Sequence, residues 1–321
     1  MNEPKSAAVV IPSWNSRDLL PQCLDSLTEQ GAELEVLVVD NGSSDGSVEL
    51  LRQRGVRHLA LPDNIGFAPA VNLGVAETAA PAVLVLNADA VLEPGCVGTL
   101  LEALAAEPRL GGVQPLILQL EPGGARDPGR ARVYSRGQAL TRDGRALEEG
   151  AGETRAAVPG EQREVFGVCG AACLLRRQLF TELGGYDESY FAFYEDVDLN
   201  VRGRVGGWRF ACQPAALAWH LGNASWQAGF ERPGAENARL VARNRLATQV
   251  KFMPVASAPR IAAVELGALA RAAAQRRFLP TLRGKLAALR WLPRLLRERR
   301  ELRRRGDLGA ARRWLGVSAG S

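Results

Sequence analysis

Several signals are scarce in this chain, and each scarcity removes a class of function. Histidine occurs only twice in 321 residues. The five cysteines (23, 96, 169, 173 and 212) are odd in number and scattered. Cys169 and Cys173 lie four apart, but no second Cys/His pair completes a zinc site. The thiols are therefore expected to be reduced, as in a reducing compartment. The opening MNEPKSAAVVIPSWN lacks a charged segment followed by an apolar one, so no secretory leader is expected. No uncharged apolar run approaches the ~18 residues a membrane-spanning helix needs. The longest late stretch, residues 261–270, is short and contains Glu265. No G-x-G-x-x-G follows the first apolar run, which argues against a Rossmann dinucleotide site, and no G-x-x-x-x-G-K-[ST] marks a P-loop.

What is present is an ordinary globular balance, 46% apolar and 23% charged, with length for one large domain or two modest ones. The net charge of +5 is uneven. Residues 271–313 hold 15 Lys+Arg against 3 Asp+Glu, and the rest holds 25 against 32. The basicity belongs to a C-terminal tail.

Along residues 1–120, apolar runs alternate with helical patterns. Residues 7–11, 34–39, 57–61 and 82–86 read as strands; 17–30, 44–54 and 65–78 read as helices. The strands are apolar throughout, as a parallel sheet covered on both faces requires. A doubly wound, mostly parallel α/β sheet is expected. Residues 119–164, rich in Gly, Arg and Glu, read as a loop excursion with a hairpin, of the kind that forms lids or binding loops. Order resumes at 165–175, a helix follows to 183, another spans 194–205, and two short strands, 208–212 and 215–219, end at His220. Helices fill the remainder.

In an open α/β sheet, ligands sit beyond the carboxyl ends of the strands. The unusual polar residues fall there: Pro12-Ser13-Trp14-Asn15, Asp40-Asn41-Gly42-Ser43, Asp63-Asn64-Ile65-Gly66 and Asn87-Ala88-Asp89. Turn chemistry favours such residues anywhere, but four clusters in register point to a site. Without a glycine-rich phosphate loop, a bound diphosphate needs a cation, and Asp89 is a hard oxygen ligand for Mg²⁺ or Mn²⁺. Burying an unpaired carboxylate at a strand tip is costly, which favours that use.

The segments VVIPSWNSRDLLPQCLDSL, VLVVDNGSSDGS, NIGFAPAVNLG and VLVLNADAVLEPG, then GAACLLRRQLFTELGGYDESYFAFYEDVDLNVRGRVGGWRF, WHLGNAS and ARNRL, resemble the family 2 glycosyltransferases of GT-A fold. The likeness covers residues 6–252 and is greatest to the bacterial rhamnosyltransferase-like branch. It implies a domain over 1–253 and a helical tail over 254–321. It implies inverting transfer of a sugar from a nucleotide-diphosphate donor, dTDP-rhamnose first and a UDP-hexose next, to an acceptor hydroxyl. The product would be a cell-surface polysaccharide or glycolipid, and the acceptor a glycan or a lipid-linked sugar.

By that resemblance Pro12, Trp14 and Asn15 line the nucleotide pocket, with Asn41 and Gly42. Asp40 accepts the imide N–H of a uracil or thymine, which an ionised carboxylate is able to do. Asn64 and Gly66 lie near the ribose and diphosphate, with Asn72 a weaker member. Asp89 matches the last acid of the family's Asp-x-Asp motif, whose first position is here Asn87, one charge fewer, with Ala88 between. His220 matches a further metal ligand, so a divalent cation, Mg or Mn, is implied. Asp196 matches the general base and Glu195 its neighbour in the Glu-Asp motif, able to orient the acceptor. Helical geometry separates Asp196 from Asp198, two residues on, and gives Asp198 the i+4 partner Arg202 as a surface pair. Gly170 and Ala171 would admit the acceptor close to the backbone. His58 receives no role.

In the tail, Leu282, Leu286, Leu289, Leu292, Leu295 and Leu296 fall at helical spacing among Arg and Lys, with Pro293 expected to divide the helix. A basic amphipathic helix reads as a surface for an anionic membrane, here the inner face of the cell membrane for a cytoplasmic enzyme; packing on the domain is the alternative. No recognition motif or interleaved aromatics suit nucleic acid. Two rival readings fit less well. A sugar-phosphate nucleotidyltransferase needs a basic glycine-rich loop where PSWNSRD stands. An inactive carbohydrate- or nucleotide-binding scaffold does not require Asp89 and Asp196, and both are present.

Overall fold

The computed structural model describes residues 6–121, 126–222 and 233–316. The first half runs β1 (Ser6–Ser13), α1 (Leu20–Asp25), β2 (Glu33–Asp40), α2 (Ser47–Gln53), β3 (His58–Ala60), α3 (Phe67–Ala76), β4 (Ala82–Leu86), β5 (Ala90–Leu92), α4 (Cys96–Ala106) and β6 (Leu110–Gln119). Next come β7 (Val133–Ser135), β8 (Gln138–Leu140), β9 (Ala146–Glu148), β10 (Arg163–Val165), β11 (Ala172–Arg176), α5 (Arg177–Leu183), α6 (Glu195–Val205) and β12 (Arg209–His220). Helices α7 (Pro233–Phe252), α8 (Ala258–Ala274), α9 (Phe278–Arg290), α10 (Leu292–Arg305) and α11 (Leu308–Arg312) follow.

The main sheet has the order β10-β12-β6-β11-β4-β1-β2-β3, with β5 on β12 and β7 on β6. The run β4-β1-β2-β3 is parallel. Strand β11 enters antiparallel between β4 and β6, while β6 and β12 are parallel. The all-apolar strands are explained by two cores. Val9, Ile11, Leu84 and Leu86 face Leu20, Leu24, Leu100 and Leu104 on one side. Val10, Val39, Val83 and Val85 face Val71, Val75, Leu179 and Phe180 on the other. Helix α3 reaches the sheet closely because Gly74 has no Cβ; a methyl there would collide with Val10.

Three local expectations change. The helix expected over 17–30 is regular only over Leu20–Asp25, with Pro21 in its first turn. The two strands expected on either side of residue 214 are one, β12, kept continuous by a register shift between Gln213 and Leu217. The segment 119–164 contributes β7 to the main sheet and the antiparallel hairpin β8–β9, while residues 122–125 lie outside the described ones. These strands are three residues each, too short for periodicity to reveal.

The basic tail packs on the domain. Leu302, Leu308 and Ala311 join Val201, Val205 and Phe252 in a further apolar cluster. Arg299 donates to the carbonyl of Val250 (2.8 Å) and Arg312 to that of Phe252 (2.8 Å). The helix divides where Pro293 stands, between α9 and α10. Helix α9 turns its small face inward: Thr281, Gly284, Lys285 and Ala288 are buried, and a methyl on Gly284 would strike the backbone of Arg239 on α7. Its leucines face outward. All five cysteines are free, and all are buried.

Candidate active site

A cavity of about 330 Å³, ligand-sized, opens beyond the carboxyl ends of β1, β2 and β4. Pro12, Ser13, Trp14, Asn41 and Asn64 form one wall; Asn87, Ala88, Asp89 and His220 form the floor. Gly170, Ala171, Glu195 and Asp196 form the wall facing them. Tyr134, Gln138 and Glu148, from the segment read as a loop excursion, close the fourth side.

Asn15, Asp40, Gly42 and Gly66 stand behind the first wall and shape it together with Asn41. Asn15 holds the 43–44 turn: its N–H donates to Ser43 Oγ (2.8 Å) and its Oδ1 accepts from Ser44 N–H (2.9 Å). Asn41 clamps the third loop, donating to the Gly66 carbonyl (3.0 Å) and accepting from Ile65 N–H (3.0 Å). Gly42 and Gly66 are required by close backbone approach. Both have positive φ, 75° and 102°, and a Cβ would meet the Asp63 backbone or Phe191. Asp40 is wholly buried, in register with Ser13. Its Oδ1 accepts from Ser43 N–H (2.9 Å), while Oδ2 is buried with no protein partner. Asn72 lies apart, tying α3 to the backbone of Tyr186 through both its amide groups (2.9 Å each). His58 is bonded to the Val56 carbonyl (2.8 Å) and is outside the site.

On the floor, three polar groups converge. His220 Nε2 lies 3.0 Å from Asp89 Oδ1 and 3.1 Å from Asn87 Nδ2. Both Asn87 Oδ1 and His220 Nδ1 are buried without a protein partner, and the ring of Tyr134 stands edge-on to the imidazole at 4.6 Å. A carboxylate, an imidazole and an unused amide oxygen suit a cation of the Mn²⁺ or Mg²⁺ type. Among the described residues no three His, Cys, Asp or Glu side chains converge on one point. The set is therefore lean, with one carboxylate, one imidazole and one amide.

Opposite, α6 begins at Glu195. Asp196 Oδ2 accepts from Gly170 N–H (3.0 Å) and Gln138 Nε2 (2.8 Å), and Oδ1 from Val197 N–H (2.7 Å). Burial pushes the Asp196 carboxyl above its ordinary range, and these three donors oppose that rise. Glu195 is held far above the carboxylate range, by burial first and then by the charge of Asp196, and its Oε2 has no partner.

The backbone leading into α6 is strained: Phe191, Phe193 and Tyr194 have φ of 65°, 68° and 70°. Asn244, from the ARNRL segment, holds it by donating to the carbonyls of Tyr190 (2.9 Å), Ala192 (2.8 Å) and Phe193 (2.7 Å). Asp198 points away from Asp196, as the helix demands, and bonds Arg202 (2.6 Å). The pair is not on the surface: Asp198 is buried and also binds Lys251 (2.5 Å), which reaches Asp187 (3.3 Å) and Glu298 on α10 (3.1 Å).

Sequence reasoning misses Tyr134, Gln138 and Glu148, since their segment is compositionally a loop. The only available signal is a pair of turn-forming glycines, Gly137 and Gly144, both at positive φ in the structure. Of the WHLGNAS segment, residues 223–225 lie outside the described ones.

A family model described as glycosyl transferase family 2 matches residues 8–184. The N-acetylglucosaminyl-diphospho-decaprenol L-rhamnosyltransferase of Mycobacterium tuberculosis is 32% identical over 209 residues, covering 58% of this chain and 66% of that one, just under two thirds of its length. The O-antigen biosynthesis protein RfbC of Myxococcus xanthus is 30% identical over 234 residues, covering 69% of this chain and 18% of that one. Among solved structures, GalNAc-T7 with UDP, GalNAc and Mn²⁺ superposes with TM-score 0.59 at 17% identity, over 77% of this chain and 48% of that one. The mannosyltransferase PcManGT from Pyrobaculum calidifontis, with GDP-Man and Mn²⁺, gives 0.50 at 20% identity, over 95% and 77%. At these identities the structural likeness speaks for the fold alone.

Proposed function

We propose, from the premise that the chain belongs to glycosyl transferase family 2 and has its GT-A fold, that it transfers a sugar with inversion from a nucleotide-diphosphate donor to a sugar hydroxyl. Rhamnose from dTDP-rhamnose is the first choice of donor, and a UDP-hexose the second. The acceptor is a glycan or lipid-linked sugar in cell-surface polysaccharide or glycolipid synthesis; the mycobacterial relative is named as a rhamnosyltransferase acting on N-acetylglucosaminyl-diphospho-decaprenol. The observation that carries the reading is that Asp196 and the Asp89–His220–Asn87 cluster face each other across one cavity.

The roles divide by chemistry. A divalent cation held by Asp89, His220 and Asn87 would neutralise charge on the leaving diphosphate. Asp40 Oδ2, buried behind the base-side wall with no protein partner, would accept the imide N–H of a pyrimidine once that wall opens to the base. Trp14 and Pro12 offer the apolar surface for the base. Asp196 takes the acceptor hydroxyl's proton as that oxygen attacks the anomeric carbon from the face opposite the diphosphate. Its three hydrogen-bond donors aim and hold the carboxylate. Glu195, whose carboxyl burial holds well above the usual carboxylate range, orients the acceptor.

Calorimetry with dTDP and UDP, each with and without Mn²⁺, tests this directly. Wild type binds one of them in a Mn²⁺-dependent way, and Asp89→Ala loses at least tenfold in affinity, about 1.4 kcal/mol. A well-folded protein that binds neither nucleotide would reduce the likeness to one of fold, and the scaffold reading would replace this one.

The tail serves the same function from outside the cavity. No helix among the described residues is long and apolar enough to cross a membrane. Yet Leu279, Leu286, Leu289 and Leu296 are 60%, 48%, 53% and 44% exposed, beside exposed Arg283, Arg290, Arg297 and Arg300. Leucines facing water among arginines suit an anionic bilayer surface, where a lipid-linked acceptor lies. Since the opposite face of α9 is packed on α7, removing the tail would disturb the fold, and point variants are the better probe. The variant Leu286→Glu/Leu289→Glu is expected to lose flotation with vesicles containing phosphatidylglycerol while keeping its Tm. Equal flotation of variant and wild type would reject the membrane role.

A further inference from the structure

The hairpin β8–β9 brings a second acid to the catalytic carboxylate. Gln138 Nε2 donates to Asp196 Oδ2 (2.8 Å) and to Glu148 Oε1 (3.3 Å). Its Oε1 accepts from Asn200 Nδ2 (2.9 Å), and Asn200 also donates to the Val168 carbonyl (2.9 Å). That second bond fixes which end of the Gln138 amide faces the acids. Glu148 Oε2 is held in turn by Ser135 Oγ (2.5 Å). Two acids are thus pinned on either side of one amide, and both line the cavity.

Nothing in the chemistry assigned so far uses Glu148. It is not among the groups on the cation side, where Asp89, His220 and Asn87 stand. Its side chain lines the cavity beside Gln138 and Asp196, within reach of whatever fills it. Burial, and after the opposing Ser135 bond the charge of Asp196, push the Glu148 carboxyl up to about 7. Maintaining such a group beside a base is costly, and a structural role would be met as well by an amide.

Spacing indicates a ligand. Oxygens bonded to the two hydrogens of one planar amide nitrogen lie about 5 Å apart. Adjacent hydroxyl oxygens of a sugar are roughly 3 Å apart, and each reaches outward about 2.7 Å to an acceptor. A vicinal diol therefore spans the gap, one hydroxyl on each acid. We propose that Glu148 is an acceptor-binding and specificity-determining residue: it holds the hydroxyl next to the one Asp196 deprotonates, so the enzyme selects sugar acceptors with a free vicinal diol. This rests on the glycosyltransferase reading above. The diol makes no covalent bond through Glu148; the attacking hydroxyl alone gives up its proton, to Asp196.

The test uses the full-length protein and two readouts. Saturation-transfer NMR with methyl N-acetylglucosaminide, in the presence of dTDP and Mn²⁺, needs no turnover. Wild type is expected to bind it, while Glu148→Ala loses at least tenfold and Glu148→Gln, which keeps one carbonyl acceptor, loses less; calorimetric dTDP affinity stays within twofold in both. Analogues deoxygenated at position 3 or 4 are expected to bind wild type at least tenfold more weakly than the parent; Glu148→Ala is expected to lose that penalty for one of the two analogues and to keep it for the other, whose missing hydroxyl faces Asp196. Equal binding of the parent glycoside by wild type and both variants overturns the proposal, as does wild type failing to bind it or failing to discriminate the analogues. With turnover on a synthetic N-acetylglucosaminyl-diphospho-lipid, the acceptor KM rises and kcat stays within about threefold. If glycoside binding follows this pattern but no sugar is transferred from any dTDP- or UDP-sugar, the glycosyltransferase reading fails and the diol site stands. Should Glu148→Ala not fold, Glu148→Gln and the wild-type analogue series decide the matter.

Discussion

Replacing Asp196 by Asn is expected to lower kcat by roughly 10²–10⁴, the range for loss of a general base. Affinity for the nucleotide diphosphate is expected to stay within twofold, because Asp196 stands on the wall opposite the cation-side cluster. Asn keeps one oxygen for Gly170 and Gln138 but turns an N–H₂ toward the Val197 N–H, so a modest loss of Tm accompanies the change. The pH profile gives an independent reading. As a general base Asp196 would act only when ionised, and its carboxyl is raised in the folded protein. Hence kcat/KM falls on the acid side, with its limb above the ~3.9 of an ordinary aspartate. The raised group also works against stability: its contribution is present below the unfolded value and is lost as pH rises through the folded one. An acid limb at the ordinary aspartate value, or an Asn variant with wild-type kcat, would remove Asp196 from the role of base.

Lys251→Met is expected to be the most destabilising single change, by roughly 3–5 kcal/mol, the cost of leaving buried charges unpaired. Burial alone would pull the Lys251 ammonium down, but Asp198, Asp187 and Glu298 outweigh it and hold it well above its usual range. The same contacts hold Asp187 and Asp198 below the usual carboxylate range despite burial. Both carboxylates therefore contribute stability above their unfolded values near pH ~4, lost as pH falls through the lowered folded ones. Lys251 contributes below its unfolded ~10.5, so the network operates across the neutral range. Thermal melts at pH 7 check the magnitude. In a double-variant cycle, Asp198→Asn is expected to recover part of the loss, because it removes one of the stranded charges. Strict additivity of the two changes would deny the coupling. Since Asp198 lies two residues beyond Asp196 and Glu298 belongs to the tail, the network also ties the tail to the helix that carries Asp196. Lys251→Met should accordingly lower kcat as well as Tm, though by less than Asp196→Asn.

The sequence by itself determined the parallel half of the sheet. Strands β1, β2 and β4 are covered on both faces, so they must be continuous apolar runs, and their ends must turn with Asp, Asn and Gly. Asp89 and Asp196 were legible for the same reason: an acid directly after a buried run, or at the start of a helix, is a local pattern. The direction of Asp198 followed from helix geometry, but its burial did not, because Lys251 arrives from another helix 53 positions further along the chain. Tertiary structure alone decided that Asn15, Gly42 and Gly66 shape the loops rather than line the cavity, since that depends on which backbones meet. It alone decided the fourth wall. Tyr134, Gln138 and Glu148 sit on strands of three residues, stabilised by pairing with β6 and with each other, and no local period records a distant pairing. The orientation of α9 was hidden likewise. Its leucines are the apolar stripe any periodic reading would bury, yet the close approach of α7 requires Gly284 and Ala288 on the inside, and helix-to-helix distance is not written in either helix.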